Sequence, residues 1–164
     1  EHYYPTLNKF FDRIEESLNL PVVIAEHPSS IYKKLGNFFG SRKIITDKTS
    51  QLIRDARMVI TQSSTSDNFS ALWRKPLLVI TTDEKLKSYN RWSLRATCKA
   101  FETEYINVNQ LRNNPDFWEL AQRPLKRYDF YRNGFIKREG TPEKNSWDIL
   151  IDHLEEKEHQ MVLP

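Results

Sequence analysis

Four short runs of apolar residues in the first half of the chain constrain its fold more than any other feature. Each run is unbroken, rich in β-branched side chains and too short for a helix: Pro21–Ala25, Lys43–Thr46, Met58–Thr61 and Pro76–Thr81. Unbroken runs are typical of strands covered on both faces, whereas strands with a solvent-facing side alternate apolar and polar residues. The runs therefore predict interior β-strands.

Helix-compatible stretches separate these runs, at Ser30–Leu35, Ser50–Ala56 and Asn68–Trp73. A strict succession of strand and helix predicts parallel strands joined by right-handed crossovers. The expected fold class is α/β, with an open, mainly parallel sheet flanked by helices.

The flanking segments are predicted to be mostly helical. Leu7, Phe10, Phe11, Ile14 and Leu18 recur at helical spacing, and Pro21 ends that first helix. Later elements are predicted as follows: a helix over Glu84–Phe101, an edge-like strand over Tyr105–Val108, helices over Asp116–Gln122 and Arg123–Arg138, and a last helix with Ser146 as its N-cap. We expect a single α/β domain over residues 1–164, with a sheet core at 20–110 and a helical C-terminal extension at 111–164.

Composition excludes several classes of protein. With 164 residues, 38% of them hydrophobic, and only four glycines, the chain is neither collagen-like nor disordered. A single cysteine, Cys98, excludes an internal disulfide framework and fits a reducing compartment. No apolar run approaches the roughly 20 residues that a membrane-spanning helix needs. We therefore expect a cytoplasmic protein.

Polar residues follow each apolar run, and in open parallel sheets ligands bind beyond these carboxyl ends. The third run is followed by Ser63, Ser64, Thr65 and Ser66, just before a predicted helix. Four hydroxyl groups, together with the N–H groups of a first helical turn, predict an anion site, most naturally for a phosphate. The alternative is that the cluster only caps the helix within a solvated loop.

The first run is followed by His27, Pro28 and Ser29. Pro28 restricts His27 to an extended conformation, and an imidazole at a sheet edge can donate a hydrogen bond to a phosphate. A purely structural histidine is the alternative. The chain has neither a Walker A motif nor G-x-G-x-x-G, so an anion site would depend on hydroxyl groups, a histidine and a helix terminus. No metal ligands are predicted.

The segment Arg123–Arg138 stands out by its charge, with six Lys or Arg residues against one carboxylate, Asp129. Such a stretch could bind nucleic acid or an anionic membrane surface. Its aromatic residues Tyr128, Tyr131 and Phe135 recur at spacings of three and four, which predicts a stripe packed on the domain with the charges solvated. We expect packing, with membrane contact as the functional alternative and no nucleic-acid partner.

These elements together carry a family resemblance. A strand ending in His27-Pro28, a later strand entering Ser63-Ser64-Thr65, and then a helix and the strand Lys75–Thr81 resemble the donor-binding, C-terminal half of GT-B glycosyltransferases of bacterial surface-polysaccharide (capsule and O-antigen) synthesis. The His-Pro and Ser-Ser/Thr pairing is similar to that of the CMP-sugar transferases and the CDP-glycerol glycerophosphotransferases. The resemblance covers roughly residues 20–155.

The resemblance implies a Rossmann-like domain that binds a nucleotide-sugar donor without a metal or other cofactor. His27 with Pro28 and Ser29 on one loop, and Ser63 to Ser66 on the other, would hold the donor phosphate, and the base would lie near 44–53. CMP- or CDP-linked donors are favoured, because Phe69–Leu72 lacks the ribose-binding carboxylate found in many GT-B enzymes. The implied partner is an N-terminal acceptor-binding domain, so this chain would be part of a two-domain enzyme and inactive alone.

Other interpretations stay open. The chain could be a non-catalytic α/β interaction or regulatory module, or a GT-B relative of the glycerophosphotransferase or epimerase type. No catalytic base is assigned, and Glu26 beside His27 is interpreted as structural. The glycosyltransferase interpretation places the protein in the cytoplasm, peripheral at the inner face of the membrane through residues 123–138.

Overall fold

The computed structural model describes residues 2–27, 30, 36–89 and 91–161. Its strands are β1 (Ile24–Glu26), β2 (Ile44–Thr46), β3 (Val59–Thr61), β4 (Leu77–Thr81) and β5 (Tyr105–Asn107). Its α-helices are α1 (Tyr3–Leu18), α2 (Thr49–Asp55), α3 (Asp67–Leu72), α4 (Asp83–Lys87), α5 (Arg91–Phe101), α6 (Phe117–Leu120), α7 (Tyr128–Tyr131) and α8 (Ser146–Met161), with a π-helical turn at Arg132–Ile136. The helix predicted over Ser30–Leu35 falls almost wholly outside the described residues.

The strands confirm the predicted α/β class with parallel pairing, but they lie in two small sheets rather than one. β1 pairs with β2, and β3, β4 and β5 form the second sheet with β4 in the middle. All three pairings are parallel; Ile24 lies opposite Ile44, and Val79 lies between Thr61 and Tyr105. Ile24 and Ile44 pack against the same hydrophobic cluster as Leu78 and Ile80, so the two sheets share one core.

Strand β4 is covered on both faces, as its unbroken apolar run predicts. Leu78 and Ile80 belong to a cluster with the buried face of α1, whereas Leu77 and Val79 belong to a second cluster on the opposite face. Successive strand side chains point to opposite faces, so both faces of β4 need apolar residues. The second cluster includes Leu94 and Phe101 from α5, together with Ala71 from α3 and Tyr128 from α7.

The helix predicted over Glu84–Phe101 is divided into α4 and α5. Ser88 ends α4 in an extended conformation, and its hydroxyl donates to the carbonyl oxygen of Lys85 at 2.7 Å. Serine competes in this way with the backbone hydrogen bonds of a continuing helix. The result is a short helix beyond the carboxyl end of β4, followed by a second helix that packs on β4.

Two other helix boundaries differ from prediction. The helix predicted over Arg123–Arg138 begins at Tyr128 and continues as the π-helical turn to Ile136; Pro124 disfavours helical geometry at Arg123. The N-cap of α8 is Asn145 rather than Ser146, since its Oδ1 accepts from the backbone N–H groups of Trp147 and Asp148 at 3.0 and 3.1 Å. Within the described part of the chain, no helix is both long enough and apolar enough to cross a membrane.

Candidate functional site

The predicted anion site lies at the carboxyl end of β3, where the chain turns into α3. Thr61 is buried at the end of the strand, and its Oγ1 accepts from the backbone N–H of Ser63 at 3.1 Å. Ser63 has a φ of 85°, a region that non-glycine residues seldom adopt. Thr97 of α5 donates to the Ser63 hydroxyl at 2.9 Å, so the turn is fixed from two elements.

Ser64 and Asp67 stabilise the turn before α3. The Ser64 Oγ accepts from the N–H of Ser66 at 3.2 Å, and the Asp67 carboxylate accepts from the N–H of Ser64 at 2.9 Å. Only the Asp67 bond corresponds to an arm of a capping box, because the Ser64 hydroxyl bonds Ser66 rather than an N–H group of α3. The Ser64-x-x-Asp67 spacing is the signal in the sequence for that bond.

The first-turn N–H groups of α3 are not free for a ligand, contrary to the expectation from sequence. The N–H groups of Asp67, Asn68 and Phe69 donate to the carbonyl oxygens three residues earlier, at 3.1, 3.4 and 3.0 Å. Any anion at this loop would therefore depend on side-chain donors.

Hydroxyl donors remain on the outer side of the loop. Thr65 is exposed, and its side chain forms no hydrogen bond with another described residue. The hydroxyl groups of Ser64 and Ser66 bond each other at 2.8 Å, which leaves one of their two O–H donors available. The loop thus offers two hydroxyl donors at a fixed backbone.

A buried carboxylate and a half-buried amine lie beneath and beside this loop, and sequence reasoning missed both as site residues. Asp67 is 3% exposed; its burial raises its pKa, while hydrogen bonds from Ser64 and Thr61 and the charge of Lys85 oppose the rise. Lys85 lies on α4, beyond the neighbouring strand β4, and burial lowers its pKa while Asp67 counteracts this. Lys85 therefore interacts electrostatically with the carboxylate beneath the loop.

The carboxyl ends of β4 and β5 are tied together by side-chain hydrogen bonds. The buried Thr82 caps α4 by accepting from the N–H of Lys85 at 3.2 Å. Asp83 accepts from the side-chain amide of Asn107 at 2.7 Å, and its N–H donates to Asn109 at 2.9 Å. This network fixes the start of α4 and thereby the position of Lys85.

His27 follows β1 and is exposed, in the sheet that does not contain β3. Glu26 beside it is buried and accepts a hydrogen bond from the Ser30 hydroxyl, an arrangement that fits the structural role expected of it. Pro28 and Ser29, the other two predicted site residues on this loop, lie outside the described residues. The structure thus joins Ser64 to Ser66 by hydrogen bonds, links Ser63 to Thr61 and Thr97 instead, and places His27 on a separate strand end.

Gln62 is a further polar residue at the end of β3 that the sequence did not single out. Its Oε1 accepts from the phenol of Tyr3 on α1, while its Nε2 is buried and has no partner among the described residues. Burial is the main cause that raises the pKa of Tyr3. Gln62 therefore holds an unused donor between α1 and the loop.

The aromatic residues of 123–138 pack largely as predicted. Tyr128 is 1% exposed and meets Phe101 edge-on at 6.0 Å; Tyr131 stacks on the same ring at 4.0 Å. Phe135, the third residue of the predicted stripe, stacks on Tyr131 but remains 65% exposed. Packing on the body of the domain is thus confirmed for two of the three residues.

Comparison with known proteins gives no match: no family model fits the chain, and no curated protein or solved structure is significantly similar to it. The function must therefore be argued from the residues themselves.

Proposed function

We propose that this domain binds the phosphate of a nucleotide-sugar donor at the carboxyl ends of its strands, as the donor-binding part of a glycosyltransferase of bacterial surface-polysaccharide synthesis. CMP- and CDP-linked donors are the favoured class. The proposal joins the motif resemblance to the position of the hydroxyl loop in a parallel α/β fold. In such folds, ligands bind at this edge.

The observation that carries the proposal is the loop Ser63–Ser66. Its backbone is fixed by the hydrogen bond from Ser64 to Asp67 and by Thr97, while Thr65 and one hydroxyl of the Ser64 and Ser66 pair remain able to donate. Donors held in place before the ligand arrives cost little reorganisation when negative charge develops on a leaving phosphate.

Charge compensation at this loop would come from Lys85. Asp67 is buried under the loop, and its carboxylate accepts a hydrogen bond from the N–H of Ser64. The carboxylate therefore does not face the outer side of the loop, where the phosphate would bind. Lys85 opposes that charge and is only half-buried, so its ammonium can also attract a phosphate. In the proposed site, Lys85 supplies positive charge, and the loop hydroxyls fix the orientation of the phosphate.

The alternative is a non-catalytic module that uses the same edge to bind another protein. Nucleotide binding separates the two functions, because the module requires none. We expect isothermal titration of this chain with CMP, CDP, UDP and GDP to detect binding of CMP or CDP.

The informative variant is Thr65→Ala, which removes a donor without removing a hydrogen bond between described residues. A hydrogen bond to a charged group contributes about 1.5–3 kcal/mol, so we expect the nucleotide affinity to fall about tenfold or more. Ser64→Ala is less suitable, because it also removes the hydrogen bonds between Ser64 and Ser66 that support the loop.

The matched control is Ser41→Ala, which removes an exposed hydroxyl from the loop that precedes β2. It is expected to leave nucleotide affinity unchanged. Failure of all four nucleotides to bind, or an equal loss in the Thr65 and Ser41 variants, would contradict the proposal.

A further inference from the structure

The outward face of α5 carries a row of cations. Arg91, Arg95 and Lys99 are all exposed and recur every four residues, which places them on one side of the helix. At a rise of 1.5 Å per residue, the row extends about 12 Å along the helix axis. Leu94 and Phe101, which are buried in the second hydrophobic cluster, lie about 110° around the helix from the centre of this row.

No carboxylate neutralises this row within the described part of the chain. None of the three cations forms an ion pair there, and α5 itself contains no acidic residue. Like charges four residues apart on a helix destabilise it. The cations of the row therefore repel one another, and an anionic surface would relieve that repulsion.

Aromatic side chains lie on the same surface. Trp92 is 58% exposed, with the guanidinium groups of Arg91 and Arg95 at 5.6 and 5.7 Å from its ring centroid. Tyr89, just before the helix, is 90% exposed. Tryptophan and tyrosine are enriched where proteins meet the headgroup region of a bilayer, since one part of each ring system is apolar and the other polar.

We infer that this face, formed by Tyr89, Arg91, Trp92, Arg95 and Lys99, docks on the surface of an anionic phospholipid bilayer. The cations would lie among the lipid phosphates, and the two aromatic rings would enter the headgroup layer. The attraction is electrostatic in the main, and so it depends on anionic lipid and weakens with salt. None of these five residues belongs to the proposed nucleotide site, although Thr97 of the same helix bonds Ser63.

The arrangement favours a bilayer over a nucleic acid. Single-stranded nucleic acids bind by stacking bases on open aromatic rings beside a basic groove. Here two guanidinium groups already lie near the Trp92 ring, and the cations are on the outward face of a helix rather than in a groove. Binding to a bilayer surface requires only that the charges and rings lie along one side of the protein.

The test is cosedimentation of the protein with vesicles of phosphatidylcholine, alone or mixed with phosphatidylglycerol. We expect binding only to the anionic vesicles, and its loss in high salt. Each basic residue near such a surface contributes about a fivefold factor in affinity, so the triple variant R91Q/R95Q/K99Q should bind about a hundredfold more weakly. The single variant Trp92→Ala should also bind anionic vesicles more weakly than the unmodified chain, with an unchanged dependence on salt.

The matched control is K126Q/R132Q/R138Q, which removes the same charge from the basic segment 123–138. These three cations also lack ion pairs among the described residues, but they lie on non-helical chain, on the π-helical turn and beyond it, rather than along one helix. We expect this variant to retain anionic-vesicle binding within a few fold. An equal loss in both triple variants would assign the effect to net charge and overturn the inference.

Two other results would overturn it as well. The first is absence of binding to anionic vesicles by the unmodified chain. The second is tighter binding to single-stranded DNA than to vesicles in the same low-salt buffer, since that result would assign the face to nucleic acid. Circular dichroism of both triple variants confirms that each is folded before the affinities are compared.

Discussion

Two regions of this domain are basic and aromatic, and they are used in opposite ways. In residues 123–138, Tyr128 and Tyr131 pack against Phe101, and the cations Arg123, Arg127 and Lys137 each pair with a carboxylate. On the outward face of α5, the aromatic ring of Trp92 is exposed and the cations have no carboxylate partner among the described residues. Similar composition therefore has two different consequences.

The two regions differ in where the fold places their aromatic rings. Tyr128 and Tyr131 lie on α7, which follows a non-helical stretch and contacts α3 and α5. Their hydroxyl groups donate hydrogen bonds to the Lys75 carbonyl oxygen and to the Asn68 side chain. Burial of such rings needs a partner for each hydroxyl, and both have one. Trp92 lies on the face of α5 opposite to Leu94, so packing of α5 on β4 excludes it from the core.

The first way to test the comparison is to truncate one ring in each region. Tyr128→Ala removes a buried ring, and we expect it to lower the free energy of unfolding by about 3–5 kcal/mol. Trp92→Ala removes a mostly exposed ring, and we expect a change below about 0.5 kcal/mol. Urea-induced unfolding followed by circular dichroism measures both.

Tyr128→Phe serves as the control, since it keeps the ring and removes only the hydrogen bond to Lys75. We expect it to cost about 1–2 kcal/mol, between the two alanine variants. Equal losses from the Tyr128 and Trp92 truncations would mean that the ring of Trp92 is also a structural element, and the comparison would fail.

The second test uses pH, because the packed region lies beside the buried carboxyl group of Asp67. The charge of Asp67 raises the pKa values of Tyr128 and Tyr131, on top of the larger effect of their burial. Burial raises the pKa of Asp67 itself, so the folded protein holds this proton more tightly than the unfolded chain does. The stabilisation of the folded state by this proton is complete when the pH lies below the ordinary pKa range of aspartate. It is lost as the pH rises through the raised pKa of Asp67.

Asp67→Asn keeps an acceptor for the N–H of Ser64 and removes the titration. Relative to this variant, we expect the unmodified protein to lose stability with increasing pH, by at most about 1.4 kcal/mol per pH unit. Unfolding measured in urea from the acidic range to neutrality gives the difference curve. Asp129→Asn is the control for loss of one negative charge, because Asp129 is exposed and pairs with Arg74. A flat difference curve for Asp67→Asn would show that burial does not shift this group.

Strand β4 was the most predictable because its signal is local, whereas β1, β2 and β3 are three residues long and are not buried at every position, unlike the predicted strands covered on both faces. The run Pro76–Thr81 predicted β4 to within one residue, since a strand covered on both faces must be apolar at every position. The first helix was equally clear, because all five residues of its predicted stripe are buried. Parallel pairing followed from the order of strands and helices.

The details of the site were less predictable because they depend on contacts between distant segments. The hydroxyl cluster at Ser63–Ser66 was visible in the sequence, but its link to Thr97 joins residues 34 positions apart. No local feature of the sequence indicates that Lys85 interacts with Asp67, because the two residues come together only when β3 and β4 pair. The break at Ser88 was missed because a serine within a helical pattern is common, and only its bond to Lys85 shows that it ends α4.

The smallest expected effect is also the most direct measure of the difference in charge pairing. Arg95→Glu places a carboxylate between Arg91 and Lys99, so two repulsions at four-residue spacing become attractions. After the loss of the contact between Arg95 and Trp92, we expect a net gain of about 0.5 kcal/mol in the free energy of unfolding. Arg123→Glu is the matched change in the packed region, where it breaks the 2.6 Å pair with Glu119 and places two carboxylates together. We expect it to cost about 0.5 kcal/mol.

The opposite signs of these two charge reversals exclude an effect of net charge, because both change it by the same amount. Salt should reduce both effects, since the groups are exposed and the interactions are screened over about 10 Å at moderate ionic strength. If Arg95→Glu destabilises the domain as Arg123→Glu does, then Arg95 has a favourable partner within the chain in addition to the Trp92 ring. In that case the row on α5 would not be in mutual repulsion, and the reason for expecting it to seek an anionic surface would be lost.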